Sequence, residues 1–122
     1  MATDMQGRPL RIHITPGNNH DSTAVGELID FLPGNVCLAD MAYDANWILN
    51  ELKIRDIKPI IPASPSRKVK RRLDKSLYNQ RYLIECCFHT LKRCRRIATR
   101  FDKTLASFSA FVHIAAALVW IL

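Results

Sequence analysis

The sequence predicts an α/β fold with some parallel strand pairing. Short apolar runs bounded by Gly, Pro or Asp alternate with longer segments whose apolar residues recur at helical spacing. Such alternation is typical of parallel pairing, because a helix can return the chain to the same end of a sheet. The 122 residues, 48% of them hydrophobic, are enough for one core. We therefore expect residues 1–122 to form one domain.

The first expected strand lies in GRPLRIHITPG, where Leu10, Ile12 and Ile14 alternate with polar residues. The stretch DMQG before this strand is typical of a hairpin turn. A hairpin requires an earlier strand, and very few residues precede the turn. We therefore expect the domain to begin in mid-fold, truncated at its N-terminus with its first strand missing.

The next elements alternate between helix and strand. A helix with Val25, Leu28 and Ile29 on one face is expected to follow an N-cap at Asp21 or Ser22. The run NVCLAD is typical of a strand covered on both faces. The third strand is expected in IKPIIPA, where a proline indicates an edge position. Between these two strands, the pattern predicts a helix capped by Asp44 that carries Trp47, Ile48, Leu49 and Leu52.

Residues 62–74 interrupt the alternation. Their sequence, PASPSRKVKRRLD, holds two prolines, two serines and five basic residues, which indicates a basic exposed loop within the domain. A solvated linker and a contact to the DNA backbone are both open interpretations. A long helix is expected from about residue 75 to 100, and a buried C-terminal helix from about residue 105 onward.

The composition favours a polyanionic partner. Lys and Arg number 18 against 11 acids, for a net charge of +7, and nucleic acid is the commonest polyanion. A basic protein without such a partner is the alternative. Four cysteines without a C-x-x-C pair favour free thiols in a reducing cytoplasm over a zinc site. The apolar tail AFVHIAAALVWIL is shorter than the roughly 20 residues of a membrane span, so we expect no membrane association.

One segment, YNQRYLIECCFHTLKR, combines a lone acid with basic groups. On a continuous helix, Tyr78, Arg81, Glu85 and Lys92 would fall within roughly 60° of arc, beside a broader apolar face. An ion pair between Arg81 and Glu85 is the simpler interpretation. Such a pair would require neither the tyrosine one turn earlier nor the lysine two turns later.

A second acid, Asp40, follows an apolar run in CLADMAYD. Carboxyl ends of strands are where ligand chemistry gathers in α/β sheets. A helix cap or turn is the alternative role. Asp40 and Glu85 could together bind Mg²⁺, which prefers oxygen ligands, while the basic neighbours neutralise the phosphates of a substrate.

The interval pattern of Tyr, two residues, Arg, three residues, Glu, six residues, Lys resembles the signature around the last acid of DDE transposases from bacterial insertion sequences. Three flanking blocks resemble the IS-five-like group in the same order. They are PLRIHITPGNNHDS, LADMAYDA and RRIATRFDKTLASFSAFVHIAAALVWIL. The resemblance covers nearly the whole chain.

This resemblance implies a ribonuclease-H-like fold with C-terminal helices. It also implies Mg²⁺-dependent (or Mn²⁺-dependent) DNA strand cleavage and strand transfer in transposition. Asp40 matches the second catalytic, metal-binding acid, and Glu85 matches the third. Tyr78, Arg81 and Lys92 match accessory residues that contact DNA, and Arg93 would extend that contact unless it belongs to a solvated basic face.

The family's first acid has no counterpart here, because Asp4 falls in the predicted turn. The resemblance therefore implies the C-terminal part of a catalytic domain, inactive when alone. The alternative is a non-catalytic DNA-binding remnant that regulates a parent transposase. The expected partners are DNA, as element ends and target, and either full-length transposase or a second copy of the chain, in the bacterial cytoplasm at the nucleoid.

Overall fold

A computed structural model of the protein describes residues 1–15, 20, 24–30, 33–99 and 103–121. It has a mixed α/β architecture divided into two compact units. We call Met1–Ile14 with Tyr82–Leu122 the terminal unit, and Thr15–Arg81 the central unit. The expected N-cap residues Asp21 and Ser22 lie outside the described residues.

The elements follow one another in the predicted alternation, and short 3₁₀ helices occur at Met41–Tyr43 and Asn79–Arg81. In chain order, the strands and α-helices are β1 (Ala2–Thr3), β2 (Pro9–Arg11), α1 (Val25–Ile29), β3 (Val36–Leu38), α2 (Asn46–Ile54), β4 (Lys58–Ile60), α3 (Lys75–Tyr78), α4 (Tyr82–Lys92), α5 (Arg95–Thr99) and α6 (Leu105–Ile121).

The sheet of the central unit consists of β3 and β4, which run parallel with α2 as their crossover. The Lys58 N–H donates to the Asn35 carbonyl over 2.8 Å, and the Ile60 carbonyl accepts from Ala39 over 3.4 Å. Because alternate residues of a strand direct their backbone groups to opposite sides, Pro59 faces away from β3. The missing N–H of Pro59 therefore costs this ladder no hydrogen bond, in agreement with the predicted edge position.

The core of the central unit lies between α1, α2 and the end of β4. Its buried cluster consists of Val25, Ile29, Ile48, Leu52 and Ile61. The predicted apolar face of α1 is confirmed, since its three apolar residues are all buried. The helical period of the sequence therefore located this core.

The prediction that β3 is covered on both faces is wrong. Val36 is 44% exposed, so β3 is not covered on both faces. Trp47 is 46% exposed, because it lies about 100° around the helix from the buried Ile48.

The end of α2 is closed by a backbone motif. The Ile57 N–H donates to the Leu52 carbonyl over 2.9 Å, and the Asp56 N–H donates to the Lys53 carbonyl over 3.0 Å. Asp56 has a φ of 57°, the left-handed conformation that this motif requires. The motif ends the helix and directs the chain into β4.

In the terminal unit, β1 and β2 form an antiparallel hairpin. The predicted turn is confirmed: Asp4 Oδ1 accepts the backbone N–H groups of Gln6 and Arg8, each over 2.9 Å. Gly7 in this turn has a φ of 76°, and a Cβ there would lie 3.3 Å from the Leu83 carbonyl oxygen. Glycine therefore suits both the backbone angle and the close approach of α4.

The core of the terminal unit lies between α4 and α6. Its buried cluster consists of Cys87, Leu91, Ala115 and Ala116. The end of α6 is attached to the hairpin, because Trp120 Nε1 donates to the Pro9 carbonyl over 2.7 Å. The Arg8 guanidinium lies 4.2 Å from the centre of the Trp120 ring, a cation–π distance.

The prediction that the C-terminal helix is buried holds for one face only. Val112, with the two alanines of the core, is buried, whereas Ile114, Leu118 and Ile121 are exposed. His113 is also exposed, and its Nδ1 lies 2.7 Å from the Ser109 carbonyl oxygen. His113 is therefore not part of the core. Among the residues described, no helix has the length and apolar character needed to cross a membrane.

The predicted long helix from residue 75 to 100 is divided into α3, a 3₁₀ turn, α4 and α5. At the second break, the Arg93 N–H donates to the Thr90 carbonyl over 3.2 Å, and the Cys94 N–H donates to the Leu91 carbonyl over 3.1 Å. These i to i−3 bonds tighten the end of α4. A 3₁₀ turn advances about 120° per residue, so the single arc predicted for the Tyr78–Lys92 signature does not apply across the first break.

The core of the central unit yields a stability prediction. Leu52 is 1% exposed, and Leu52→Ala should lower the free energy of unfolding by about 2–5 kcal/mol through lost burial and a residual cavity. Ile54, on the same helix, is 77% exposed, so Ile54→Ala should change the free energy of unfolding by less than about 0.5 kcal/mol. Urea unfolding followed by circular dichroism measures both, and equal losses would contradict the assigned core.

Candidate functional site

Asp40 lies two residues beyond β3, where the chain leaves the sheet. Its Oδ1 accepts the Ala42 N–H over 3.0 Å, and its carbonyl accepts the Tyr43 N–H over 3.1 Å. The side chain therefore caps the 3₁₀ helix that follows. Its Oδ2 accepts no hydrogen bond from the residues that the structure describes. This half-buried strand-end carboxylate has a structural role and an oxygen that a ligand can use.

The prediction that Asp44 caps α2 is wrong. The N-cap residue is Ala45, and no side chain caps this helix. The Asp44 side chain is instead 0% exposed, and it binds the loop of residues 62–74. Asp44 Oδ2 accepts Arg67 Nε over 2.7 Å and the Ser64 backbone N–H over 2.6 Å, and Oδ1 accepts Arg71 Nη2 over 2.8 Å. We call these four residues the Asp44 cluster.

The surroundings of Asp44 keep its carboxylate ionised. Burial alone would raise the pKa of Asp44, but hydrogen bonds from Arg67, the Ser64 backbone and Arg71 lower the pKa to about 2. Arg71 also donates to the Ile61 carbonyl over 3.0 Å. Two guanidinium groups around one carboxylate leave the Asp44 cluster with a net positive charge.

Tyr78 and Arg81 lie in the central unit, at the end of α3 and in the 3₁₀ turn after it. Both are half-buried. The Arg81 guanidinium carbon lies 5.8 Å from the centre of the Tyr78 ring, at the outer limit of a cation–π contact. The structure therefore brings these two predicted DNA-contacting residues together.

Glu85 and Lys92 lie in the terminal unit, in the first and last turns of α4. Both are exposed and, seven residues apart, they share one face of the helix. With Phe88 and His89 they line a shallow depression of about 370 Å³. The acid near the N-terminus and the base near the C-terminus both suit the helix dipole.

Arg93 is exposed in the turn that follows α4. The predicted site residues are thus divided between units: Asp40, Tyr78 and Arg81 belong to the central unit, whereas Glu85, Lys92 and Arg93 belong to the terminal unit. Within the described part of the chain, no group of three or more His, Cys, Asp or Glu side chains is arranged to hold a metal ion.

The Asp44 cluster was missed at the level of sequence because the partners of Asp44 lie 20 to 27 positions from it in the chain. The predicted role of Asp44 as a helix cap also required no partner distant in the chain. The available signal was the pair Arg67 and Arg71, since arginines can converge on one carboxylate through charge-assisted hydrogen bonds.

A family model described as the transposase DDE domain matches residues 1–120. The chain belongs to the DDE transposase family. Its resemblance to DDE transposases, found in the Tyr78–Lys92 signature and the flanking blocks, is thereby confirmed. The family implies a ribonuclease-H-like fold, and its members act on DNA with divalent metal ions.

The chain is similar to three proteins whose names describe transposases of insertion sequence elements. The Brucella ovis protein named for element IS6501 is 42% identical over 123 residues, which cover 97% of this chain and 92% of that protein. The Neisseria meningitidis serogroup B protein of IS1106 is 30% identical over 93% of this chain, but only 42% of its own length is matched. The Burkholderia cepacia protein of IS402 is 28% identical over 98% of this chain and 60% of its own length.

The chain therefore spans nearly all of the Brucella relative and less than two thirds of the other two. No solved structure matches the chain significantly.

The lowered pKa of Asp44 predicts a pH-dependent stability. Because the pKa falls from 3.8 to about 2 on folding, the contribution of this carboxylate is present above about pH 4 and is lost between about pH 4 and pH 2. Asp44→Asn should lower the free energy of unfolding by about 1–2 kcal/mol at pH 7 and flatten its pH dependence in that window.

Urea unfolding at several pH values measures this effect. Asp30→Asn is the control, because Asp30 forms a more exposed ion pair with Arg55 at 2.5 Å and should contribute less than about 1 kcal/mol. Identical acid sensitivity in the wild-type chain and Asp44→Asn would rule out the assigned role of the buried carboxylate.

Proposed function

We propose that this chain forms part of the catalytic domain of an insertion-sequence transposase that cleaves DNA strands and transfers them to target DNA. The match of the DDE domain to residues 1–120 is the observation that carries the proposal. The order of the flanking blocks supports placement in the IS-five-like group. The proposed place of action is the bacterial nucleoid, in the cytoplasm.

Asp40 and Glu85 are the proposed catalytic carboxylates, and each contributes to binding Mg²⁺ or Mn²⁺. Their chemistry suits hard cations, which take oxygen ligands. The open Oδ2 of Asp40 and the exposed position of Glu85 support this role. When bound, the divalent ions assist the attacking oxygen and stabilise the leaving oxygen in phosphoryl transfer.

The proposed DNA contacts are Tyr78, Arg81, Lys92 and Arg93. Lys92 shares a helix face with Glu85, so its charge would offset the repulsion between that acid and an approaching phosphate. Lysine and arginine contacts to phosphates position the duplex without reading its sequence. Water attacks first in the proposed reaction, and the released 3′ hydroxyl then attacks target DNA.

Asp4 is proposed to have no catalytic role. Its carboxylate accepts two backbone N–H groups in the hairpin turn and forms an ion pair with Arg8 at 2.8 Å. The remaining acid of the triad is proposed to come from outside residues 1–122. We therefore expect no strand transfer by these residues alone, and activity only together with full-length transposase or an upstream segment that carries an aspartate strand.

A second candidate function is a DNA-binding remnant that regulates a parent transposase. The exposed cations of residues 62–74 and the net charge of +7 favour it, because they support binding without chemistry. Such a remnant would compete for DNA or assemble with the parent enzyme.

Substitution of the two acids tests the catalytic assignment. In the chain joined to an upstream transposase segment that carries the remaining acid, Asp40→Asn and Glu85→Gln should each reduce Mg²⁺-dependent strand transfer by about 100-fold or more, because a metal ligand is lost. DNA affinity, measured by fluorescence anisotropy, should remain within about threefold of the unsubstituted protein, because neither change removes a positive charge.

Asp56→Asn is the matched control. Asp56 is exposed, and asparagine tolerates its left-handed backbone conformation. Full activity in Asp40→Asn or Glu85→Gln would refute the site. DNA binding without strand transfer in the joined, unsubstituted protein would favour the remnant.

A further inference from the structure

We infer that the loop of residues 62–74 is a contact surface for the DNA backbone, and that Asp44 is the positioning residue that holds it in shape. The inference rests on the proposed function, because it adds a DNA-binding segment and its anchor to that activity. Neither the loop nor Asp44 is proposed to take part in strand cleavage.

The Asp44 cluster is the tertiary anchor of this loop. Residues 62–74 contain no helix or strand, so no ladder of backbone hydrogen bonds fixes them. Local bonds within the loop include one from the Arg67 N–H to the Ser64 carbonyl over 3.1 Å and a contact of 3.0 Å between the Ser64 and Ser66 hydroxyls. Asp44 binds the loop through hydrogen bonds from three residues. The side chains of Arg67 and Arg71 are each more than half buried.

The anchored loop retains uncompensated positive charge. Asp44 balances only one of its two arginine partners. Lys70 Nζ donates to the Ser64 and Pro65 carbonyls, over 3.3 and 3.1 Å, so no carboxylate cancels its charge there. Lys68 and Arg72 are exposed, and neither forms an ion pair within the described part of the chain. Five cations lie between residues 67 and 72, and the single carboxylate of Asp44 leaves a positive surplus that a further anion would offset.

The chemistry of the loop fits duplex phosphates. Ammonium, guanidinium and hydroxyl groups are the side chains that contact phosphate oxygens without reading bases. Residues 62–74 include no aromatic residue, so they lack the stacking platform typical of single-strand binding. Ser64, Ser66 and Arg67 also line a shallow depression of about 300 Å³ beside Asp44.

Binding through charge alone and binding through positioned cations predict opposite effects of Asp44→Asn on DNA affinity. The substitution raises the net charge by one, so a loop that binds DNA through charge alone would bind more tightly. If Asp44 positions the cations, affinity should fall despite the added positive charge. The sign of the change separates the two cases.

The test uses residues 1–122 and a short duplex of arbitrary sequence, with fluorescence anisotropy over a series of salt concentrations. The double variant Lys68→Gln with Arg72→Gln should weaken binding about tenfold and reduce the slope of log affinity against log salt by about 1.8, for two lost phosphate contacts. The matched control, Lys53→Gln with Lys58→Gln, removes two exposed charges from the same unit and should leave affinity within about threefold.

The positioning role is tested by two further variants. Asp44→Asn should bind about three- to tenfold more weakly than the wild-type chain, whereas Asp30→Asn, with the same change in charge, should bind equally or more tightly. Arg67→Lys with Arg71→Lys keeps the net charge but loses the guanidinium geometry, and it should also bind more weakly. Circular dichroism verifies folding. If Asp44→Asn unfolds, the variant Arg67→Lys with Arg71→Lys alone tests the positioning role.

Wild-type affinity and salt slope in Lys68→Gln with Arg72→Gln would overturn the contact surface. Tighter binding by folded Asp44→Asn, or unchanged binding by the Arg-to-Lys variant, would overturn the positioning role. Stronger binding to anionic phospholipid vesicles than to the duplex, lost in the Lys68 and Arg72 variant, would assign the loop to membranes instead. Failure of strand transfer in the joined protein bears only on the proposed function, because these measurements record binding.

Discussion

The folded arrangement of the segment after β4 depends on one buried carboxylate. A charged group removed from water is tolerated only when it is paired and hydrogen-bonded, and Asp44 meets both conditions through Arg67, Arg71 and the Ser64 backbone. The same bonds bring a loop of like charges against the start of α2. Without that anion, mutual repulsion of the loop cations would favour an extended, solvated segment.

The two predicted catalytic acids are each supported by a rigid element of their own unit. Asp40 is held by its cap interaction at the end of β3. Glu85 is carried by α4, which buries Cys87 and Leu91 in the terminal core and leaves the acid on the opposite, exposed side. A hydrogen bond thus holds the Asp40 carboxylate, and packing of α4 fixes the backbone that carries Glu85.

Features with a local cause could be predicted from the sequence. Helical spacing located Ile48 and Leu52 in the core, and the intervals from Tyr78 to Lys92 led to the family. The Asp44 cluster could not be predicted, since Asp44 is far in the chain from its three partners. The apolar sequence of α6 favours burial on every side, yet the structure buries one face, because burial depends on what neighbouring elements supply.

Pro59 determines on which side the sheet of the central unit can grow. Its ring nitrogen, directed away from β3, cannot donate to a strand added at the outer side of β4. The far side of β3 has no such block, because Val36 and Leu38, whose backbone groups point away from β4, both carry an N–H group. An additional strand from a longer polypeptide or a partner would therefore extend the sheet beside β3, and so next to the strand that leads directly to Asp40.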